Sequence, residues 1–290
     1  MVQFSIKDLE RITGIKAHTI RIWEQRYNII RPLRKGNNIR FYSNEDLKRI
    51  LNVSILNNNG LKISKIADLT IDQINIEVKK IVDANITEDN QIEGLVMSMI
   101  ELDENRFQEI ISNNISNHGL IKTIENCIYP FFEKVGLLWQ TGAINPAQEH
   151  FVSNLIRQKI IASIDSISLK PDLKKDVFLL FLPESELHEI GLLVYAYLLK
   201  SKGYKIIYLG QSVPYVDLIT VVHIIKPKKI IATFTNPFSE GMLQEYLNKI
   251  SYDLPDCTIF VSGYQFIKES VKIPTNVILH KGLEVFKTLI

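Results

Sequence analysis

Cysteine is nearly absent from this sequence, and so are long apolar runs. Only Cys127 and Cys257 occur among the 290 residues, far apart and without metal-ligand spacing, so neither a disulfide framework nor a zinc site is expected. No stretch approaches the roughly 18 consecutive apolar residues that a membrane-spanning helix needs. The opening residues MVQFSIKDLE carry charges early and lack the apolar core of a secretory signal. We therefore expect a cytoplasmic protein with no membrane partner.

Charge is distributed unevenly along the chain. The net charge is only +2, but residues 1–72 contain 13 basic and 7 acidic side chains and carry +6, which leaves −4 for the remainder. A basic module on a mildly acidic body predicts an anionic partner for the N-terminal part. The alternative is a solvated basic surface, and charge alone leaves it open.

Three segments differ in hydrophobic periodicity, and they predict three domains. Residues 1–72 contain short amphipathic helices and, between Pro32 and Tyr42, a GNN turn signal that predicts a β-hairpin. Residues 73–170 are helical in pattern and predict an antiparallel bundle. Residues 174–290 alternate apolar runs with amphipathic helices, which is typical of an α/β domain.

The apolar runs of the last segment predict the strands of one sheet. They are residues 176–183, 205–210, 228–235, 257–263 and 276–280. These runs are apolar throughout rather than alternating, as expected of parallel strands that are covered on both faces. The predicted fold class is therefore multidomain, α and α/β, with a winged helix-turn-helix, a helical bundle and a flavodoxin-like doubly wound parallel sheet.

Basic side chains concentrate on the second predicted helix and on the hairpin that follows it. Seven basic residues lie between Lys16 and Arg40, against the single acidic residue Glu24. This density favours binding to the phosphates of double-stranded DNA. Arg21 and Arg26 are assigned to base or phosphate contact, and the hairpin side chains to the DNA backbone. The full candidate set is His18, Thr19, Arg21, Arg26, Arg34, Lys35 and Arg40. The alternative is that one of the arginines pairs with Glu24 inside the helix.

A single histidine marks the loop after the first predicted strand of the sheet. His188 precedes a helix at the carboxyl end of that strand, where doubly wound sheets bind ligands. Glu186, two residues earlier, is placed to orient the second ring nitrogen of a coordinating imidazole. The residues therefore indicate a metal or cofactor ligand, and the alternative is a solvated loop histidine.

The N-terminal motif resembles the DNA-binding domain of the MerR family. The segment ITGIKAHTIRIWEQRYNIIRP, followed by NNIRFYSNEDL, carries the resemblance over residues 4–70. The resemblance implies dimers that bind palindromic promoter sites. Many members continue into a long coiled-coil helix, but this chain has no sustained heptad run, so dimerisation is expected to occur by other means.

Residues 186–191 resemble the D-x-H-x-x-G motif of cobalamin-binding domains. The resemblance implies that His188 is the lower axial ligand of cobalt, with Gly191 closing the motif. Thr233 stands where the family has a serine, and Ser262-Gly263 stand where it has two glycines. Small side chains there leave room for the nucleotide tail of the cofactor. The chain departs from the family in having Glu186 for Asp, Thr233 for Ser and Ser262 for Gly.

The bundle contains a second motif of the same kind. Trp139 and, after nine residues, Glu149-His150 resemble the W-x9-E-H motif of bundles that cap the upper face of cobalamin. The alternative is that Trp139 belongs to the bundle core and that Glu149 and His150 lie on a helix surface.

The order of the three domains resembles the adenosylcobalamin-dependent light-sensing repressors of the MerR family. The resemblance implies a non-enzymatic, photosensitive transcription repressor that forms a homo-oligomer, a dimer or a tetramer. Light-responding members have a histidine beside the capping tryptophan. Gln140 stands at that position here, and His150 or His118 could substitute for the histidine.

Two alternatives are a MerR-type regulator whose sensor domain has lost cobalamin, and a corrinoid carrier enzyme. The DNA-binding domain disfavours the carrier.

Overall fold

A computed structural model of the chain describes residues 4–35, 39–83, 88–140, 144–168, 170–172, 174–239, 241–268 and 270–290. The chain divides into two units, Met1–Leu155 and Ile156–Ile290. The helix-turn-helix and most of the helical bundle lie in the first unit, and the sheet lies in the second. Among the described residues, no helix combines the length and the apolar character that a membrane span requires.

The N-terminal helices begin where the sequence places capping residues. In chain order the elements are α1 (Ile6–Thr13), α2 (Ala17–Tyr27), β1 (Leu33–Lys35), β2 (Ile39–Phe41), α3 (Asn44–Asn58) and α4 (Ile63–Ala67). Ser5 caps α1 and Ser43 caps α3, and each forms a capping box with an aspartate three residues later. The antiparallel pairing of β1 with β2 confirms the predicted hairpin, whose turn at 36–38 lies outside the described residues.

The helix-turn-helix has a small apolar core. Helices α1 and α2 pack against each other, and Leu9 and Ile12 of α1 and Ile20 and Trp23 of α2 are buried, whereas Tyr27 of α2 is only half-buried. Burying one stripe of α2 leaves its other face for a partner.

The second set of helices forms the bundle. They are α5 (Ile71–Asp83), α6 (Glu88–Glu101), α7 (Glu104–His118), α8 (Leu120–Thr123), α9 (Tyr129–Gln140) and α10 (Pro146–Asp165), and α10 crosses the boundary between the units. A π-helical turn at Ile124–Ile128 lies between α8 and α9. Pro130 explains this turn: proline has no amide hydrogen for the carbonyl four residues earlier and its ring crowds that carbonyl, so the winding widens.

The second unit contains a five-stranded parallel sheet. Its elements are β3 (Val177–Pro183), α11 (Ile190–Ser201), β4 (Lys205–Val213), α12 (Tyr215–Ile225), β5 (Lys229–Thr233), α13 (Met242–Asp253), β6 (Thr258–Ser262), α14 (Gln265–Lys268), β7 (Val277–Leu279) and α15 (Gly282–Leu289). The strand order β4-β3-β5-β6-β7 confirms the flavodoxin-like prediction. The chain reverses direction across the sheet between β3 and β5, so the carboxyl ends of these two strands form the topological switch point.

Gly263 allows a close backbone approach just beyond β6. Its φ is +126°, and a Cβ atom at this position would lie 2.2 Å from the carbonyl oxygen of Phe234. We therefore expect Gly263→Ala to lower the free energy of unfolding of the second unit by about 3 kcal/mol, through backbone strain and overlap. Urea unfolding of the cofactor-free protein measures this loss.

Gly191→Ala is the matched control for Gly263→Ala. Gly191 lies in α11 of the same unit, and no atom lies within 4 Å of the position its Cβ would take. Alanine in a helix favours folding relative to glycine, so this variant should be as stable as the parent or up to about 1 kcal/mol more stable. Equal destabilisation by both substitutions would contradict the account.

Candidate functional site

The outer face of α2 presents polar side chains to solvent. His18, Arg21 and Arg26 are exposed and Thr19 is half-buried, while Ile20 and Trp23 fix the opposite face in the core. The structure therefore places four of the seven predicted DNA-contacting residues on one exposed recognition helix. Arginine and histidine donors on such a helix suit the major groove of duplex DNA.

The hairpin is tied to α2 by an ion pair. The Arg40 guanidinium lies 3.1 Å from a carboxylate oxygen of Glu24, and the Tyr42 hydroxyl donates to the other carboxylate oxygen over 3.3 Å. Burial, and then the Glu24 charge, raise the pKa of Tyr42 to about 12. The partner of Glu24 is therefore Arg40, and this ion pair orients the hairpin against α2. The side chains of Arg34 and Lys35 lie outside what the structure describes.

His188 and Glu186 are joined in the loop after β3. The Nδ1 atom of His188 lies 2.7 Å from Oε1 of Glu186, and the same oxygen accepts the backbone N–H of His188 over 3.0 Å. The Glu186 side chain is buried, whereas the His188 side chain is 59% exposed. The carboxylate that was predicted to orient the imidazole does contact it. The buried Glu186 side chain therefore fixes the Nδ1 edge of the His188 ring.

Glu186 also joins the two loops that meet at the switch point. Its Oε2 atom accepts the backbone N–H groups of Thr235 and Asn236, each over 2.6 Å, and these residues follow β5. Burial alone would raise the pKa of Glu186, but the hydrogen bonds from the His188 ring and from three backbone amides outweigh it and lower the pKa to about 2. The carboxylate is therefore ionised at neutral pH and holds both loops in place.

Small polar residues end β5 and β6. Thr233 and Ser262 are paired in register at the carboxyl ends of these strands, and both are buried. The Ser262 hydroxyl lies 3.3 Å from the Tyr195 hydroxyl, whereas Oγ1 of Thr233 has no hydrogen-bond partner in the described part of the chain. An unsatisfied buried hydroxyl costs about 1–3 kcal/mol, so this atom is suited to a ligand that supplies a polar partner.

Three residues of this region escaped the sequence analysis. Glu189, next to His188, is buried and accepts from Nε of Arg157 over 2.6 Å and from the Tyr208 hydroxyl over 2.9 Å. Burial, then the Glu189 charge, raise the pKa of Tyr208 above its usual range. Arg157 lies on α10, so the ion pair fixes the start of α11 to that helix. A second acidic residue directly before the apolar run of α11 was the available signal.

The three predicted cap residues lie at two helix ends of the first unit. Trp139 is the penultimate residue of α9 and is 50% exposed, which excludes the alternative of a core tryptophan. Glu149 and His150 lie at the start of α10, with Nδ1 of His150 2.8 Å from Oε2 of Glu149 and the His150 side chain 71% exposed. Trp139 and His150 are thus exposed to a ligand or partner, whereas Glu149 is half-buried and its other carboxylate oxygen accepts the Ser153 hydroxyl.

The Glu186 carboxylate makes the stability of the second unit depend on pH. Its pKa is about 2 in the folded chain and ordinarily 4.5, so ionisation stabilises the fold above about pH 4.5, and this stabilisation is lost as the pH falls toward 2. The difference corresponds to roughly 3 kcal/mol. We expect Glu186→Gln to cost about 3 kcal/mol at pH 7 and about half of that at pH 3.

Urea unfolding of the parent and the variant at both pH values measures this change, and Glu184→Gln, in the same loop and exposed, should show no loss. A loss from Glu186→Gln that is equal at pH 7 and pH 3 would contradict the assigned ionisation.

Two family models match the chain in its first 162 residues. A model described as "MerR HTH family regulatory protein" matches residues 4–71, and one described as "B12 binding domain" matches residues 91–162. The first match covers the helix-turn-helix and the second covers most of the bundle. The resemblance of the N-terminal domain to the MerR family and that of the bundle to B12-binding proteins are confirmed, whereas the motif at residues 186–191 lies beyond the second match and stays a prediction.

The chain is also similar to two repressors of Myxococcus xanthus over most of its length. It is 26% identical to the HTH-type transcriptional repressor CarH over 87% of this chain and 85% of the relative. It is 28% identical to the HTH-type transcriptional repressor CarA over 79% and 75%, respectively. In fold it resembles the monomethylamine corrinoid protein of Methanosarcina barkeri, with a TM-score of 0.53 and 14% identity over 70% of this chain and 98% of that one. The chain therefore joins a MerR-type helix-turn-helix domain to a B12-binding domain and is homologous to the repressors CarH and CarA.

Proposed function

We propose that this chain is a DNA-binding transcription repressor whose oligomeric state and DNA affinity are controlled by adenosylcobalamin, with His188 as the protein ligand of cobalt. The observation that carries the proposal is the Glu186–His188 pair at the switch point of the sheet. The two similar proteins from Myxococcus xanthus are named as transcriptional repressors, which indicates a regulator and not an enzyme. We place its action in the cytoplasm, where DNA and a reduced thiol pool coexist.

The donor set suits a metal that arrives inside a cofactor. Among the described residues no group of three or more His, Cys, Asp or Glu side chains could hold a metal ion. A corrin ring supplies four nitrogen ligands of its own, so a single imidazole suffices. Because Glu186 occupies Nδ1 of His188, coordination would use Nε2, and the carboxylate would fix the tautomer and raise the basicity of the ligand.

The departures from the cobalamin motif keep its chemistry. Glu186 is one methylene longer than aspartate, and it still holds His188 while also reaching two backbone amides beyond β5. Thr233 retains the hydroxyl of serine, and its unpartnered Oγ1 fits a polar atom of the nucleotide tail. The open space beside Gly191 fits a close approach of the cofactor. We assign the tail to Thr233, Ser262 and Gly263, and the upper face to Trp139, Glu149 and His150.

Regulation would follow from linkage between the cofactor and DNA. A ligand that binds one oligomeric state better than another shifts DNA affinity by that difference and no more. We propose a dimer or tetramer in the dark, which presents several copies of α2 to the two half-sites of an operator. When bound, adenosylcobalamin supplies a cobalt–carbon bond that light cleaves.

Loading in the dark tests the proposal. We expect the purified chain to bind adenosylcobalamin, to become coloured and to form a larger oligomer by light scattering. His188→Ala should weaken binding by at least about 10–100-fold, because even loss of a residue that supports a metal ligand has that effect. His223→Ala, which removes an exposed histidine from α12, should bind like the parent.

Two outcomes would overturn the cofactor assignment. A protein that stays colourless in excess cofactor would leave a MerR-type regulator with a degenerate sensor. Binding that is unchanged in His188→Ala would remove cobalt ligation by His188.

A further inference from the structure

The first helix of the DNA-binding domain is bonded to the end of the helix that carries Trp139. The Arg11 guanidinium, in the last turn of α1, donates from Nη2 to Oε1 of Gln140 over 2.6 Å. Gln140 is the last residue of α9 and directly follows Trp139. Helices α1 and α9 also pack against each other, so this hydrogen bond belongs to a larger contact within the first unit.

A second polar contact fixes the same two domains at another point. Asn59, which caps the end of α3, and Asn90 of α6 exchange two amide hydrogen bonds of 2.9 Å each. Asn90 is almost fully buried. Asn52 of α3 also donates to the side-chain amide oxygen of Asn75 of α5 over 3.0 Å. The contacts between the helix-turn-helix and the bundle thus include the Asn59–Asn90 pair, in which Asn90 is buried, and the exposed Arg11–Gln140 bond.

The Asn59–Asn90 and Arg11–Gln140 contacts differ in how easily they break. Opening the Asn59–Asn90 pair would break two hydrogen bonds of an almost fully buried side-chain amide, which is costly. Opening the Arg11–Gln140 bond returns two exposed side chains to water, which costs little. A displacement at the end of α9 is thus able to break the Arg11–Gln140 bond while the Asn59–Asn90 pair stays intact and acts as a pivot.

We propose that Gln140 is a positioning residue that transmits the state of the cobalamin cap to the DNA-binding domain through Arg11. This inference rests on the proposed function. A side-chain amide oxygen is a good acceptor for a guanidinium, whereas a protonated imidazole at this position would repel it. Since α1 shares its buried core with α2, a shift of α1 reorients the recognition helix. The cap then acts on DNA binding within one chain, in addition to acting through oligomerisation.

The test measures DNA affinity with and without adenosylcobalamin in the dark, on a duplex selected by the cofactor-loaded protein from a random-sequence library. In the parent, the ratio of the two affinities reports the coupling between cofactor and DNA. Gln140→Leu and Arg11→Met should each lower this ratio by about two- to fivefold, and the double variant should lower it no further. Gln140→Glu keeps an acceptor for Arg11 and should preserve the ratio.

Lys7→Met is the matched control, since it removes an exposed cation from the same helix without touching Gln140. It should change both affinities equally and leave the ratio intact. A second readout needs no cofactor: in urea unfolding of the free protein, the Arg11→Met and Gln140→Leu effects should be non-additive, with a coupling of about two- to fivefold in the unfolding constant.

The outcomes separate this inference from the proposed function. A parent that binds cofactor and shows a ratio above one, with the same ratio in Gln140→Leu, would overturn the inference and leave the function standing. So would a Gln140→Glu variant that behaves like Gln140→Leu. A parent that binds no cofactor would end the proposed function first, and the role given to Gln140 with it.

Discussion

The sensor end of this protein depends on one buried, ionised carboxylate. Glu186 accepts hydrogen bonds from the His188 ring, from the His188 amide and from two amides beyond β5, so it joins the loops on both sides of the switch point. A buried charge is tolerated only when its hydrogen-bonding capacity is filled, and here four donors fill it. The same bonds that stabilise the carboxylate therefore determine where the imidazole lies.

The DNA-binding end uses ion pairing in a different way. Glu24 is the only acid among seven basic residues, and it binds Arg40 of the hairpin rather than an arginine of its own helix. Arg21 and Arg26 therefore stay exposed on α2, and the hairpin is held against the helix that it flanks. This internal pair joins the hairpin to α2, and the exposed Arg21 and Arg26 carry charges of the sign that DNA phosphates attract.

Much of the fold was accessible from local sequence signals. The apolar runs specify buried parallel strands, because only strands covered on both faces lack alternation. The helix starts at Ser5 and Ser43 follow from capping boxes, in which an aspartate comes three positions after the serine. The Glu186–His188 contact was predicted for the same reason, since the two residues are separated by one position.

Contacts between distant residues were not accessible in this way. Arg157 and Glu189 are 32 residues apart, and Arg11 and Gln140 are 129 residues apart. The local pattern of the sequence therefore indicates neither pair. The π-helical turn before Pro130 was missed because its apolar pattern resembles that of a continuous helix. The exposure of Trp139 depends on tertiary packing, which sequence spacing does not report.

The central claim is that the His188 imidazole coordinates cobalt, and isotope-edited electron paramagnetic resonance tests it directly. The chain is produced with 15N-labelled histidine, loaded with natural-abundance cobalamin and reduced to the paramagnetic Co(II) state. The account predicts that the axial-nitrogen splitting of the cobalt signal changes from the triplet of 14N to the doublet of 15N, and that the triplet returns when the histidine is unlabelled. A triplet that persists in the labelled protein would show that cobalt keeps the base of the cofactor itself, and it would contradict the account.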